Sequence, residues 1–208
     1  MSIVINGNGT ITGLAVGGLP DGVVDTDMLA NNAVATGKIA DNAVTSAKSS
    51  GLGGLAMADE WRVASDNGET NDSTIGGWER NDTDFAQIGT GMTQSSGVFT
   101  FPATGIYKVE FYATSRRAAN QNLNVVRYRL QVSTDSGSNF STRAFASSQM
   151  ASAGDNQETF SCGSAIIDVT NASTFRVRLY VAAATHVRPL YDSSSNNTFM
   201  TFLKLGDT

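Results

Sequence analysis

Residue types that covalent cross-links and metal sites require are scarce in this chain. Its 208 residues include one cysteine, Cys162, one histidine, His186, and three prolines. A single cysteine excludes an internal disulfide, and one cysteine with one histidine excludes the usual ligand sets of zinc sites. Packing and hydrogen bonds must therefore hold the fold together.

Positive charge and long apolar runs are also scarce. The net charge is −5, and the only adjacent basic pair is Arg116-Arg117. Because binding to a phosphate backbone requires clustered lysine and arginine, we expect no nucleic-acid partner. No apolar run reaches the ~20 residues of a membrane span, and the first residues lack the basic start of a signal peptide. We therefore expect a protein made in a cytoplasm, without membrane insertion.

Residues able to support catalysis are few. We interpret Cys162 as a small core residue of a strand and place His186 in a loop. The carboxylates considered as calcium ligands, which follow no EF-hand spacing, are Asp66, Glu69, Asp72, Asp82 and Asp84. We expect no enzyme activity, no cofactor and no bound metal.

The chain changes in composition near residue 55. All phenylalanine, tryptophan and tyrosine residues lie beyond Leu55, so the first part lacks the side chains that build a core. Three segments are predicted: an attachment segment over 1–22, a stalk and Gly/Ser linker over 23–55, and a globular head over 56–208.

The segment 23–55 contains a ten-residue repeat. Val24, Val34 and Val44 recur at intervals of ten, and each is followed two residues later by threonine or serine. Each unit is typical of a short extended step and one helical turn that the hydroxyl caps. So few apolar side chains cannot offset an ordering cost of ~1–2 kcal/mol per residue. We interpret the repeat as an extended stalk of three chains wound together; a disordered linker is the alternative.

The segment 1–22 combines apolar side chains and glycines, with almost no charge before Asp21. Exposed apolar segments of this kind mark binding surfaces, so the segment is predicted to attach the protein to a partner. A frayed terminus is the alternative. The candidate anchor residues are Ile3, Val4, Ile5, Ile11, Leu14 and Leu19.

From Trp61 onward the pattern is that of strands. Val109, Phe111 and Ala113 alternate with more polar residues, and the same period of two recurs at 127–132 and 175–181. Turn-forming residues separate the runs. The pattern predicts an all-β head of two antiparallel sheets, with a jelly roll as the favoured topology.

Two stretches of the head resemble the C1q/TNF family. Residues 96–109 match the family's Gly-x-Phe-x-x-Pro-x-x-Gly-x-Tyr stretch, and 197–205 are similar to its last strand. The resemblance covers about 61–205 and implies a trimeric C1q/TNF-like jelly roll. Its core motif falls on Phe99, Pro102, Gly105, Tyr107 and Phe199.

Residues 7–22 and the repeat that follows resemble the attachment regions of phage tail-fibre-like proteins. The resemblance implies a homotrimeric structural protein of a virion, made in the host cytoplasm and bound through its N-terminus to other virion proteins of the tail or capsid. The leading expectation is a tail fibre or spike whose head contacts a glycan or protein of the host surface. The candidate contact loop contains His186, Arg188 and Tyr191. A capsid decoration protein or head fibre on the shell is the alternative.

Overall fold

The computed structural model describes residues 4–5, 11–12, 34–40, 43–44, 55–68, 72–83, 85, 87–117, 125–150, 157–182 and 187–208. The chain divides into two compact units, Met1–Leu52 and Gly53–Thr208. The second unit is called the head.

The described backbone of the first unit forms a short hairpin and one helical turn. β1 (Val4–Ile5) pairs antiparallel with β2 (Ile11–Thr12). A 3-10 turn at Thr36–Lys38 begins at the threonine of a repeat unit, where the sequence predicts a cap. In the single chain, Val34 and Val44 are about half exposed. In the single chain these two valines of the repeat are therefore not part of a core.

Two antiparallel sheets form the described part of the head. The strands of sheet 1 are β3 (Met57–Val63), β5 (Trp78–Arg80), β8 (Gly105–Arg117), β11 (Glu158–Val169), β13 (Val187–Pro189) and β14 (Thr198–Gly206). Their order is β11-β8-β14-β3-β5, with β13 beside β8. The strands of sheet 2 are β4 (Ser73–Thr74), β6 (Thr93–Ser95), β7 (Val98–Thr100), β9 (Val125–Ser133), β10 (Ser141–Gln149) and β12 (Arg176–Val181). Their order is β10-β9-β12-β7-β6, with β4 beside β12.

The path of the chain between the sheets makes the sandwich a jelly roll. β7 of sheet 2 leads to β8 of sheet 1, and β9 and β10 return to sheet 2. β11 lies in sheet 1, β12 in sheet 2, and β13 and β14 in sheet 1 again. The predicted all-β jelly-roll head is confirmed.

The core lies between the sheets and takes alternate residues from each strand. Along β8, buried and half-buried residues alternate through all thirteen positions. The predicted alternations also hold at 127–130 and 176–181, with Tyr128, Leu130 and Leu179 fully buried, whereas Gln131 is buried next to Leu130 and Phe175 is only half-buried. The period of two therefore determines which side chains enter the core.

Phe99 of β7 joins the two sheets at the centre of the core. It is fully buried. Its ring centroid lies 5.6 Å from that of Trp61, 5.4 Å from that of Trp78 and 5.0 Å from that of Phe202. Edge-to-face contacts such as the first two stabilise an aromatic core beyond the area that they bury.

The corner between β7 and β8 carries the chain from sheet 2 to sheet 1. The hydroxyl of the buried Tyr107 donates a 3.0 Å hydrogen bond to the Ala103 carbonyl oxygen, which ties the corner to β8. Gly105 has φ +144°, and a Cβ there would lie only 2.6 Å from the Gly206 carbonyl oxygen. Glycine is required for both reasons. Pro102 is half-buried at the same corner.

Two predicted core residues lie on the outside instead. Cys162, interpreted as a core residue, is exposed on the outer face of sheet 1, opposite Tyr112. Phe199, assigned to the core motif, is only half-buried, because Met200 and Phe202 occupy the inward positions of β14. Residues on a strand share a face only at even separations, so Phe199 and Phe202 cannot both point inward.

Candidate functional site

The outer face of sheet 1 carries a cluster of exposed aromatic and aliphatic side chains. The Tyr112 ring stacks on the Phe199 ring, with centroids 4.7 Å apart and planes inclined by 12°. The Phe160 ring lies 6.1 Å from the Tyr112 ring. Phe160 is 53% exposed and Ile166 on the same strand is 69% exposed. These four residues are called the aromatic face.

The register of three neighbouring strands brings Tyr112, Phe160 and Phe199 together, while Ile166 lies farther along β11, opposite Lys108. Tyr112 of β8 is directly opposite Phe199 of β14 on one side and Cys162 of β11 on the other. Opposite residues of an antiparallel pair share a face and are in contact distance. Because Tyr107, Val109 and the later odd positions of β8 fill the core, Tyr112 must point outward.

The basic side chains beside the aromatic face are paired with carboxylates. Lys108 Nζ lies 3.0 Å from Glu110 Oε1 on the outer side of β8. Arg62, opposite Phe199, is 1% exposed and lies 2.7 Å from Glu79 and 3.0 Å from Asp82. With these charges neutralised, the face is suited to contact with another apolar surface.

A second surface lies where β8 ends beside β13. An open depression of about 340 Å³ is lined by Arg116, Arg188, Pro189, Leu190, Tyr191 and Asn197. The structure thus brings together Arg188 and Tyr191, two of the three residues predicted for the contact loop. Tyr191 is 42% exposed. His186 lies outside the described residues.

Both guanidinium groups of the depression have acidic partners. Arg116 Nη2 lies 2.6 Å from Glu158 Oε1. Arg188 donates hydrogen bonds to both carboxylate oxygens of Asp66, and this bonding lowers the pKa of Asp66 below its usual value. The described lining of the depression therefore consists of paired charges beside an exposed aromatic ring.

The metal-ligand candidates do not assemble where the structure describes them. No three histidine, cysteine, aspartate or glutamate side chains in the described ranges come close enough to hold a metal ion. Asp66 is bound by Arg188, and Asp82 by Arg62. Glu69 and Asp84 lie outside the described residues.

The predicted anchor is described only in part. Val4, Ile5 and Ile11 contribute their backbones to the β1–β2 hairpin. Ile3, Leu14 and Leu19 lie outside the described residues. Across the described ranges, no helix has the length and apolarity needed to span a bilayer.

The sequence matches no protein-family model and no curated protein. Solved structures match the head by shape. Eiger TNF from S. frugiperda matches with a TM-score of 0.58 at 13% identity, over 73% of this chain and 93% of that one. Murine APRIL at pH 5.0 matches with a TM-score of 0.52 at 11% identity, over 72% of this chain and 98% of that one. The head has a TNF-like jelly-roll fold. At these identities the TNF-like head shares architecture with those proteins, and its function must be argued from its own surfaces.

The aromatic face of the TNF-like head is not predicted from the sequence. Tyr112 is one of the residues that alternate with Val109, Phe111 and Ala113, whereas no prediction includes Phe160 and Phe199 is predicted in the core. The alternation of Phe160, Cys162, Ser164 and Ile166 along one strand face was a usable signal. The sequence contains no comparable signal for the register between distant strands, because that register depends on which strands become neighbours.

Proposed function

We propose that this chain is a trimeric structural protein of a phage particle, a tail fibre or spike whose TNF-like head faces outward and contacts the host surface. The observation that carries the proposal is the aromatic face. A single head leaves Phe160 more than half exposed beside the stacked Tyr112–Phe199 pair, and Ile166 more than half exposed farther along the same strand face. Copies of one head arranged about a threefold axis cover such a patch with the same patch or its neighbour.

The N-terminal unit supports the same arrangement. Val34, Ile39 and Val44 are 50%, 42% and 49% exposed in the single chain. Three chains wound together bury such side chains along a shared axis. The apolar segment 1–22, which resembles attachment regions of tail-fibre-like proteins, then binds the particle.

The contact surface we assign to the head is the depression containing Arg188 and Tyr191. Loops held by a rigid sandwich are where binding residues are usually displayed. Because Arg188 is paired with Asp66, this surface offers hydrogen bonds and an aromatic ring without a strong net charge.

Deletion of residues 2–22 tests the attachment role. The truncated protein should fold and form trimers but should be absent from purified particles. The matched control deletes residues 34–43, which is one full repeat and preserves the periodicity; this protein should still be incorporated. Normal occupancy of the truncated protein on particles would overturn the assignment.

The position of the head on the intact particle separates the two virion roles. Electron cryomicroscopy of particles should show its density on the tail if the chain is a fibre or spike. Density on the capsid face or at a vertex of the shell would replace this role by that of a decoration protein or head fibre.

We propose a non-enzymatic role. The test is turnover of host glycan by purified wild-type protein and by the variants His186→Ala and Cys162→Ser, which should be absent in all three. Turnover of host glycan by the purified protein, lost in either variant, would contradict the proposal.

A further inference from the structure

The outer face of sheet 2 concentrates positive charge in an acidic protein. Its strands carry five of the fourteen basic residues of the chain and no aspartate or glutamate. The chain as a whole has a net charge of −5, so the residues outside these strands sum to −10. The five residues, called the arginine face, are Arg127, Arg129, Arg143, Arg176 and Arg178.

Strand phase places four of these side chains on the solvent side of the sheet. Arg127 and Arg129 alternate with buried Val126, Tyr128 and Leu130 of β9. Arg176 and Arg178 alternate in the same way with the core residues of β12. Arg143 is exposed at a bulge of β10, where the pairing with β9 shifts register.

Two of the five arginines are held by the sheet itself. Arg178 Nε donates to Gln131 Oε1 at 2.8 Å, and its guanidinium lies 3.8 Å from the Phe140 ring centroid and 4.9 Å from that of Tyr180. Arg176 donates to the carbonyl oxygen of Phe175 at 2.7 Å. These contacts hold the side chains of Arg176 and Arg178 in place, so their positive charges stay on this side of the sheet.

The other three side chains are available to a ligand. In the described ranges, the guanidinium groups of Arg127, Arg129 and Arg143 have no hydrogen-bond or ion-pair partner. Arg127 and Arg129 are two residues apart on one strand face, which separates their Cα atoms by roughly 7 Å. A guanidinium group binds a carboxylate, sulfate or phosphate through two parallel hydrogen bonds.

An exposed aromatic side chain lies in the same row. Arg129 is directly opposite Phe145 of β10 on one side and Tyr180 of β12 on the other. Phe145 is 53% exposed. An aromatic ring face carries negative partial charge, so it attracts the polarised C–H bonds of a sugar ring. Arginines beside an exposed ring therefore fit a polymer that is both sugar-like and acidic.

We propose that the arginine face binds an acidic polysaccharide. Arg127, Arg129 and Arg143 pair with its anionic groups, and Phe145 packs against a sugar ring. The inference goes beyond the proposed function, because it requires only the folded head and holds wherever that head is located.

Charge density favours a polysaccharide over a nucleic acid. Nucleic acids carry a charge on every nucleotide, and tight binding uses on the order of 6–10 phosphate contacts. Only three arginines are available here, and the −10 carried by the rest of the chain repels a dense polyanion. A sugar polymer with widely spaced acidic groups needs fewer contacts and is repelled less.

Binding of polygalacturonate to the full-length protein at low ionic strength tests the proposal. The double variant R127Q/R129Q should weaken binding by about tenfold or more, since each lost charge-assisted pair costs a large factor. The matched control K38Q/K48Q removes the same charge from the first unit and should change the affinity by less than about twofold. R129Q alone should give an intermediate loss. The melting temperature of the arginine variants should stay unchanged, because Arg127 and Arg129 lie on the solvent side of sheet 2.

Further binding measurements test the role of the Phe145 ring and the need for acidic groups on the polysaccharide. Phe145→Ala should weaken binding of polygalacturonate severalfold, and neutral dextran should not bind. The proposal is overturned if wild-type protein fails to bind polygalacturonate, if K38Q/K48Q loses as much as R127Q/R129Q, or if oligothymidylate binds more tightly at the same ionic strength.

Discussion

At the scale of single residues, the centre of the core depends on Phe99. Its ring extends from sheet 2, contacts three aromatic rings of sheet 1 and is fully buried. Phe99→Ala should lower the free energy of unfolding by ~3–5 kcal/mol, because it removes a large buried group and leaves a cavity. Thermal denaturation should show a drop of roughly 10 °C. Phe145→Ala, at a half-exposed phenylalanine, is the control and should shift the melting temperature little.

Asp135 makes the turn between β9 and β10 sensitive to acid. Hydrogen bonds from Ser133 and Asn139 lower the pKa of Asp135 from 3.8 to about 2. A carboxylate whose pKa is depressed by folding stabilises the protein above its unfolded pKa, and this contribution is lost as the pH falls toward the folded value. Melting curves of wild type and Asp135→Asn should therefore differ at pH 6 and converge between about pH 4 and pH 2.

The control for this effect lies in the same turn. The Ser138 side chain makes no hydrogen bond to Asp135, so Ser138→Ala should show no difference that depends on pH in this range. A difference between wild type and Asp135→Asn that persists unchanged at pH 2 would contradict the account.

At the scale of elements, the corner between β7 and β8 depends on one glycine. Gly105→Ala should destabilise the head by ~1–3 kcal/mol, because φ +144° is strained for alanine and the new Cβ meets the Gly206 carbonyl oxygen. Gly206→Ala is the matched control, since no atom lies within 4 Å of a Cβ placed there. Equal melting temperatures for the two variants would show that the corner is not constrained in this way.

Strands were the elements that the sequence predicted best. In a strand with one buried face, apolar residues alternate with more polar ones along the sequence, as Val109, Phe111 and Ala113 do. The same rule, applied to Phe199 and Phe202, would have placed one of them outside. Cys162 was assigned to the core from its residue type, which does not identify the face of a strand.

What the sequence could not provide was the pairing of distant strands. The arginine face depends on β9 lying between β10 and β12, which are separated along the chain by turns and by β11 of the other sheet. Arg129 and Tyr180 become neighbours only through this pairing. The arginines of the face are visible in the sequence, but their position side by side on one surface is not. The sequence therefore predicted no basic patch.

At the scale of the whole molecule, we assign the aromatic face to contacts between copies of the chain. Phe160→Asp should weaken association by roughly 100-fold or more, because a charge would be buried in an apolar contact. Phe145→Asp is a closely matched control, since Phe145 is also 53% exposed but lies on sheet 2. Sedimentation velocity should show Phe160→Asp as smaller species and Phe145→Asp as wild type. Identical sedimentation of the two variants would place the contact elsewhere.

The mass of the purified full-length protein tests the central claim most directly. A trimeric head and stalk predict a particle of three times the 21.8 kDa chain mass in light scattering at micromolar concentration. The mass should not change on moderate dilution, because apolar contacts in the head and stalk act together. A stable species of 21.8 kDa at that concentration would contradict the trimer and, with it, the proposed role of the aromatic face.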